Sequence, residues 1–191
     1  MNKTLLITGG TKGIGRAILE VFAYNSFDII TCSRSRSDLD GLNTYFQTKY
    51  PKQKITCLKS DLSIKRERKL FCEAIEGTPI DVLINNTGVF IPGVLHLEVE
   101  GVLEQSIETN LYSAYDVSRA VIPLMKENKK GVIFNICSTA SVMAYENGGA
   151  YSISKFALLG FSKTLREELK EFGVKVTSIS VSYTHLRAHE T

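Results

Sequence analysis

A tyrosine and a lysine four residues apart, Tyr151 and Lys155, are the residues of this sequence best suited to chemistry. On a helix this spacing places both side chains on one face, with the ammonium group beside the phenol. At about 5 Å and an effective dielectric constant of about 20, an ammonium group stabilises a phenolate by roughly 3 kcal/mol. Such a pair can exchange a proton with a substrate near neutral pH. Taken alone, the spacing is more often ordinary surface amphipathicity, so its meaning depends on the rest of the chain.

Two further polar residues could join this pair. Ser138 follows an apolar run, and its hydroxyl could donate to a substrate carbonyl on which negative charge develops. Asn110 lies within a long helical pattern. Taken alone, a serine after a strand is usually a cap, and an asparagine is usually a polar residue facing a loop.

A glycine-rich segment, TGGTKGIG at residues 8–15, lies between the first apolar run and the first helical pattern. Glycine permits positive φ angles and lets the backbone approach a ligand without an intervening Cβ. The free N–H groups and the dipole at the start of the helix favour a pyrophosphate. Glycines also suit ordinary turns, but this position between strand and helix is typical of dinucleotide binding.

Short apolar runs alternate with helical patterns along the chain. They predict strands at 4–8, 28–32, 54–60, 81–85, 132–137 and 174–180, and helices at 14–24, 39–50, 65–76, 102–126 and 151–172. Continuously apolar strands joined by helices indicate right-handed crossovers in a covered parallel sheet. The sequence therefore predicts one α/β domain over residues 1–180, a doubly wound (Rossmann) parallel sheet with helices on both faces.

Composition argues against several other classes of protein. Hydrophobic residues make up 43% and charged residues 23% of the chain, which is typical of a globular domain. A net charge of +3 without a dense basic block argues against nucleic-acid binding. We expect the most basic group, Lys65, Arg66, Arg68 and Lys69, to be the solvated start of a helix. No apolar run approaches the roughly 18 residues of a membrane span.

The cysteines and histidines predict neither a metal site nor a disulfide framework. The four cysteines, Cys32, Cys57, Cys72 and Cys137, are far apart, and the histidines have no partner at metal-ligand spacing. Cys137 precedes Ser138, and we expect a buried small hydrophobic residue there rather than a nucleophile. The chain shows no secretory signal, so we expect a cytoplasmic protein.

The order and spacing of these motifs resemble those of the short-chain dehydrogenase/reductase family, including its 3-oxoacyl-carrier-protein reductases. TGGTKGIG is similar to the family's TGxxxGxG, Asp61-Leu62 follows the third strand, and NNTG at residues 85–88 is similar to NNAG. Asn110 and Ser138 stand at the family's positions, and YSISK at residues 151–155 is similar to YxxxK. The resemblance covers about residues 4–180.

The resemblance implies hydride transfer between a nicotinamide cofactor and a carbonyl or alcohol. Tyr151 would be the acid/base, Lys155 would bind the ribose and acidify the tyrosine, Ser138 would orient the carbonyl, and Asn110 would hold a relay water. The implied contacts of the cofactor are Gly9, Thr11, Lys12, Gly13, Ile14, Gly15, Ser33, Arg34, Asp61, Leu62, Asn86, Thr87, Gly88, Tyr151 and Lys155.

The end of the second strand predicts which cofactor is preferred. A carboxylate there binds the ribose 2′-hydroxyl of NAD, whereas an arginine accommodates the 2′-phosphate of NADP. The sequence has Ser33-Arg34 there, and Lys12 supplies a second cation from the glycine-rich segment. We expect Asp38, which lies further on, to cap the next helix. NADP(H) is therefore the expected cofactor, with NAD(H) possible.

The chain departs from the family's pattern in two places. Thr87 replaces the usual alanine of NNAG, and residues 181–191 (VSYTHLRAHET) replace the family's Pro-Gly and the loop after it. We therefore expect the last strand and helix to be missing and activity to be weak, whereas the intact parent would be a homo-oligomeric reductase of a small-molecule substrate. The alternatives are a non-catalytic dinucleotide-binding redox sensor on the same fold, or an inactive fragment.

Overall fold

A computed structural model describes residues 2–182, and within this range six parallel strands form one sheet. The strands are β1 Thr4–Thr8, β2 Asp28–Ser33, β3 Ile55–Lys59, β4 Val82–Asn85, β5 Gly131–Ser138 and β6 Val174–Val181. Their order across the sheet is β3-β2-β1-β4-β5-β6. The predicted fold class, a doubly wound parallel sheet, is confirmed. Residues 183–191, most of the predicted tail, lie outside the described range.

Helices cover both faces of the sheet, because successive strand residues point to opposite sides. Leu5 and Ile7 of β1 pack against the first two helices, whereas Leu6 packs on the other face, with the third, fifth and sixth. The helices are α1 Gly13–Tyr24, α2 Arg36–Lys49, α3 Lys65–Ile75, α4 Val102–Ile107, α5 Ser113–Glu127 and α6 Gly149–Leu169.

The sequence predicts one helix over residues 102–126, but the structure divides it. A turn of π-helix, Glu108–Tyr112, separates α4 from α5 and contains Asn110. Apolar periodicity does not reveal such a turn, because the flanking helical segments keep their buried faces. Single π-turns inside helices are often found at functional sites.

Arg68 of α3 contradicts the prediction of a solvated basic helix start. Its side chain is 2% exposed, and its guanidinium pairs with Asp116 at 2.6 Å and with Glu108 at 2.8 Å. It also donates to the carbonyl of Leu62 at 2.8 Å. Lys65, Arg66 and Lys69 are exposed as expected. A buried guanidinium requires several partners, and two of these three lie far away in the sequence.

The order of the strands reverses between β1 and β4, which are neighbours in the sheet. The connections that follow these two strands lead in opposite directions, so a crevice opens outside their carboxyl ends. The glycine-rich segment follows β1, and the NNTG segment begins in the last residue of β4. The fold therefore brings the predicted cofactor motifs to one edge of the sheet.

Candidate active site

The glycine-rich loop is shaped by close backbone contacts. Gly9 has a φ of 68°, in the left-handed region that favours glycine. A Cβ on Gly15 would overlap the carbonyl oxygen of Gly9 and lie 2.5 Å from the side-chain nitrogen of Asn86. The loop therefore packs directly on the first turn of α1, and there is no room for a side chain between them.

The loop after β4 is tied to the end of β1. The amide Nδ2 of Asn86 donates to the carbonyls of Thr8 and Gly9 at 3.0 and 3.1 Å. The backbone N–H groups of Asn86 and Thr87 both donate to Oγ1 of Thr8, each at 3.0 Å. These bonds fix the two motifs relative to each other.

A cleft of about 400 Å³ lies along this edge of the sheet. The predicted cofactor residues that line it are Gly9, Thr11, Lys12, Ser33, Arg34, Asp61, Leu62, Asn86, Thr87 and Gly88. Five predicted residues are not among its lining: Gly13, Ile14, Gly15, Tyr151 and Lys155. The prediction missed eight others: Cys32, Ser35, Asp38, Ser60, Ser63, Val89, Gln105 and Thr109. Those eight residues belong to none of the sequence motifs, and they reach the cleft because the sheet topology brings their segments together.

The corner of the cleft beside β2 carries both signs of charge. Lys12 pairs with Asp38 at 2.8 Å, and this lysine holds the pKa of the Asp38 carboxyl below its usual value. The prediction that Asp38 caps α2 is wrong, because Ser35 is the N-cap and accepts from the Asp38 N–H at 3.2 Å. Arg34 is exposed beside this pair.

The turn after β3 presents Asp61 to the same cleft. The carboxylate of Asp61 accepts from the N–H of Ser63 at 3.0 Å and from its hydroxyl at 2.6 Å. The N–H of Asp61 donates to Glu67 of α3 at 2.7 Å. These bonds stiffen the turn, and Leu62 beside it is buried.

Lys155 and Tyr151 lie on one face of α6, as their spacing predicts. Lys155 is only 7% exposed, its Nζ donates to the carbonyl of Ile136 at 3.0 Å, and burial lowers its pKa to about 8. The same Nζ lies 5.8 Å from the centre of the Tyr151 ring. Phe90 packs edge-to-face on this ring, with 4.8 Å between centroids. The Tyr151 ring therefore has an aromatic side chain packed on it and a cation nearby.

Ser138 is the last residue of β5, and its hydroxyl caps the turn that follows. Its Oγ accepts from the N–H of Ala140 at 3.1 Å, and its own N–H donates to Oγ of Ser141 at 3.1 Å. A serine hydroxyl has one hydrogen to donate and two acceptor positions. The bond from Ala140 occupies one acceptor position, so the hydroxyl hydrogen stays available to a substrate.

Asn110, in the π-helical turn, is fully buried and joins three parts of the site. Its Oδ1 accepts from the N–H of Val89 at 2.7 Å, and its Nδ2 donates to the carbonyl of Val89 at 3.0 Å and to Oγ of Ser154 at 2.8 Å. A Cβ on Gly88 would lie 3.2 Å from Oδ1 of Asn110 and 3.5 Å from Nζ of Lys155. The backbone of the NNTG loop therefore passes closely over both residues.

A buried polar network beneath the site was not predicted. Asn85 donates to Oδ1 of Asn135 at 2.7 Å and to Oγ of Ser118 at 2.9 Å. Asn135 in turn donates to Oγ of Ser162 at 2.7 Å. Asparagine in two adjacent apolar strands was the available signal, since buried polar groups require partners. The network joins β4 and β5 to α5 and α6.

The range 2–182 contains all four cysteines of the chain, including Cys137. Cys137 is buried and burial raises the pKa of its thiol, as expected of a small core residue rather than a nucleophile. Within this range no three His, Cys, Asp or Glu side chains come close enough together to hold a metal ion. Nor does any helix of the range have the length and apolar character needed to cross a membrane.

Comparison with known proteins identifies the family. The family model described as short chain dehydrogenase matches residues 3–190. The chain belongs to this family. The matched range includes residues 181–190, and the division of the chain at residue 180 stays a prediction.

Individual relatives agree with this assignment. A tropinone reductase homolog from Arabidopsis thaliana is 34% identical over 182 residues, covering 93% of this chain and 67% of the relative. A 3-ketodihydrosphingosine reductase from Bacteroides thetaiotaomicron is 32% identical, covering 90% of this chain and 60% of the relative. The chain therefore spans 60–67% of the length of these two relatives.

A solved structure shows the same fold. A short-chain dehydrogenase from Sphingobium yanoikuyae, in complex with NADPH, superposes with a TM-score of 0.89 at 25% identity. The match covers 94% of this chain and 70% of that protein.

Proposed function

We propose that the chain carries the cofactor-binding and catalytic residues of an NADP(H)-dependent oxidoreductase that reduces a carbonyl or oxidises the corresponding alcohol. One observation carries the proposal. The buried ammonium group of Lys155 lies 5.8 Å from the Tyr151 ring and 3.5 Å from the position of a Cβ on Gly88, a residue that lines the cleft. A phenol beside a cation is suited to giving and taking a proton.

The residues of the cleft fit a dinucleotide. Its volume of about 400 Å³ lies in the range common for ligand sites, roughly 300–1,000 Å³. Because Gly15 contacts Gly9 directly, the loop lies close against the first turn of α1, and the N–H groups at the start of this helix can face a pyrophosphate. When bound, the nicotinamide supplies or accepts the hydride.

The basic corner supports a preference for NADP(H). The guanidinium of Arg34 is exposed beside the cleft and can bind a 2′-phosphate with two hydrogen bonds. Lys12 is the second cation, although its ion pair with Asp38 removes part of its attraction for a phosphate. The relative from Sphingobium yanoikuyae is an NADPH complex, which supports the same preference. We therefore propose NADP(H) as the preferred cofactor and NAD(H) as a weaker one.

The residues of the site would divide the proton chemistry among them. Tyr151 would give its proton to the carbonyl oxygen, and the ammonium group of Lys155 would stabilise the phenolate that remains. Ser138 would donate its free hydroxyl hydrogen to the same oxygen. The side chain of Asn110 is held by two hydrogen bonds from Nδ2 and one to Oδ1, and the second acceptor position of Oδ1 would take the relay water. We propose that Asn110 also holds the NNTG loop against α6.

Two further features support a setting for this activity. All four cysteines are unpaired, which supports a reducing compartment such as the cytoplasm. Tyr112, the last residue of the π-helical turn, and Tyr115 of α5 are large aromatic side chains that are 43% and 38% exposed. Exposed aromatic groups are enriched at protein interfaces, so we propose that the protein forms a homo-oligomer through α5 and α6.

Binding and turnover together test the proposed function. NADPH and NADH are titrated by fluorescence, and NADPH oxidation is then followed with a panel of ketones. We expect tighter binding of NADPH and ketone-dependent oxidation that Tyr151→Phe abolishes, whereas Tyr24→Phe, at an exposed tyrosine of α1, leaves it unchanged. Binding without tyrosine-dependent turnover would favour the redox sensor, and absence of binding would favour the inactive fragment.

A further inference from the structure

The turn that precedes Tyr151 adopts an unusual backbone conformation. Asn147 has a φ of 61° and Gly149 a φ of 38°, both in the left-handed region. Asparagine tolerates this region and glycine adopts it freely, so the contacts with other segments decide how firmly this turn is held. The contacts of this turn therefore show what holds Tyr151 in place.

A segment of the loop after β4 lies along this turn. The N–H of Gly93 donates to the carbonyl of Asn147 at 3.0 Å, and Gly93 also pairs with Gly148 in an isolated parallel bridge. Five residues after Gly93, the carboxylate of Glu98 accepts from the N–H of Ala150 at 2.8 Å. Ala150 is the residue immediately before Tyr151.

The side chain of Glu98 fits between two glycines. A Cβ on Gly93 would lie 2.8 Å from Cγ of Glu98. A Cβ on Gly149 would overlap Oε1 of Glu98 and lie 2.7 Å from the carbonyl oxygen of Gly93. Real Cβ atoms do not approach other atoms so closely, so both positions require glycine while Glu98 occupies this place.

We propose that Glu98 is a positioning residue that fixes the first turn of α6 and thereby the direction of the Tyr151 phenol. The inference rests on the proposed function, because it assigns Glu98 a role through Tyr151. The N–H groups of a first helical turn lack partners within the helix, and Glu98 accepts from one of them. A carboxylate at this end also interacts favourably with the dipole of the 21-residue helix α6.

Hydrogen exchange tests the contact without any need for activity. In Glu98→Ala, the amide of Ala150 should exchange about tenfold faster, because a charge-assisted hydrogen bond is lost. Glu98→Gln keeps an oxygen acceptor and should restore most of the protection. The matched control is Glu100→Ala, at an exposed residue of the same segment, which should leave exchange unchanged. Unchanged exchange at Ala150 in Glu98→Ala would overturn the proposal.

Kinetics test the consequence for Tyr151. We expect Glu98→Ala to lower kcat for ketone reduction about tenfold or more per folded molecule, with the Kd for NADPH unchanged, and Glu98→Gln to recover most of the loss. A lower Tm with unchanged kcat would mean that Glu98 only stabilises the fold, and would overturn the proposal. A wild-type chain that binds NADPH without turnover would overturn the proposed function, and the exchange result would still decide whether Glu98 fixes the turn.

Discussion

Gly15→Ala should damage cofactor binding even though alanine is the better helix former. The added Cβ would overlap the carbonyl oxygen of Gly9 and lie 2.5 Å from Nδ2 of Asn86. Neither group can yield alone, because Asn86 also holds the carbonyls of Thr8 and Gly9 at 3.0 and 3.1 Å. Overpacking costs about 1–3 kcal/mol, against a gain of at most about 1 kcal/mol from helix propensity. Even with the full gain from helix propensity, the free energy of unfolding should fall by up to about 2 kcal/mol, and the loop should be displaced.

A second glycine provides the matched control. Gly160 also lies in a helix, and a Cβ there would meet nothing within 4 Å. Gly160→Ala should therefore raise the free energy of unfolding by about 0.5–1 kcal/mol and leave NADPH binding unchanged. Urea unfolding measures stability, and fluorescence titration measures the Kd for NADPH, which Gly15→Ala should raise at least about fivefold. If Gly15→Ala gained stability like Gly160→Ala and bound NADPH normally, the packing argument would be refuted.

Three further predictions concern charged residues. The pKa of Lys155 is lowered to about 8, so its ammonium group is lost as pH rises through that value. We therefore expect kcat/KM for ketone reduction to fall above about pH 8. A pH profile that stays flat would contradict this prediction. Arg68→Met should lower the free energy of unfolding by about 2 kcal/mol, because two partly exposed carboxylates lose their charged partner. Arg66→Met should change the free energy of unfolding by less than about 0.5 kcal/mol. Equal urea midpoints for the two variants would contradict the role of Arg68. Asp38→Asn removes the ion pair of Lys12, so the Kd for NADPH should fall about two- to fivefold relative to the Kd for NADH. An unchanged ratio of the two Kd values would show that Lys12 does not reach the phosphate.

The sequence predicts the parts of the fold that follow from local pattern. The six strands and the glycine-rich turn are confirmed because apolar runs, helix periods and glycines carry strong local signals. The shared face of Tyr151 and Lys155 follows directly from helical spacing. The topology then places the two cofactor motifs at the same edge of the sheet.

The sequence does not predict features that depend on contacts between distant elements. Arg68 lies in a run of charges and looks solvated, but its partners Glu108 and Asp116 lie in a different part of the chain. Asp38 stands near the start of α2 in the sequence, but the structure gives the cap to Ser35 and pairs Asp38 with Lys12 of the neighbouring loop. Glu98 carries no motif at all, and only its position between two glycines shows what it holds.

Single-turnover oxidation of bound NADPH by a ketone tests the central claim, that Tyr151 beside Lys155 delivers the proton. The account predicts that Tyr151→Phe binds NADPH with the wild-type Kd and oxidises it at least about 100-fold more slowly, since general acid catalysis contributes about 10²–10⁴-fold. Equal rates of oxidation in Tyr151→Phe and the wild type would contradict the account.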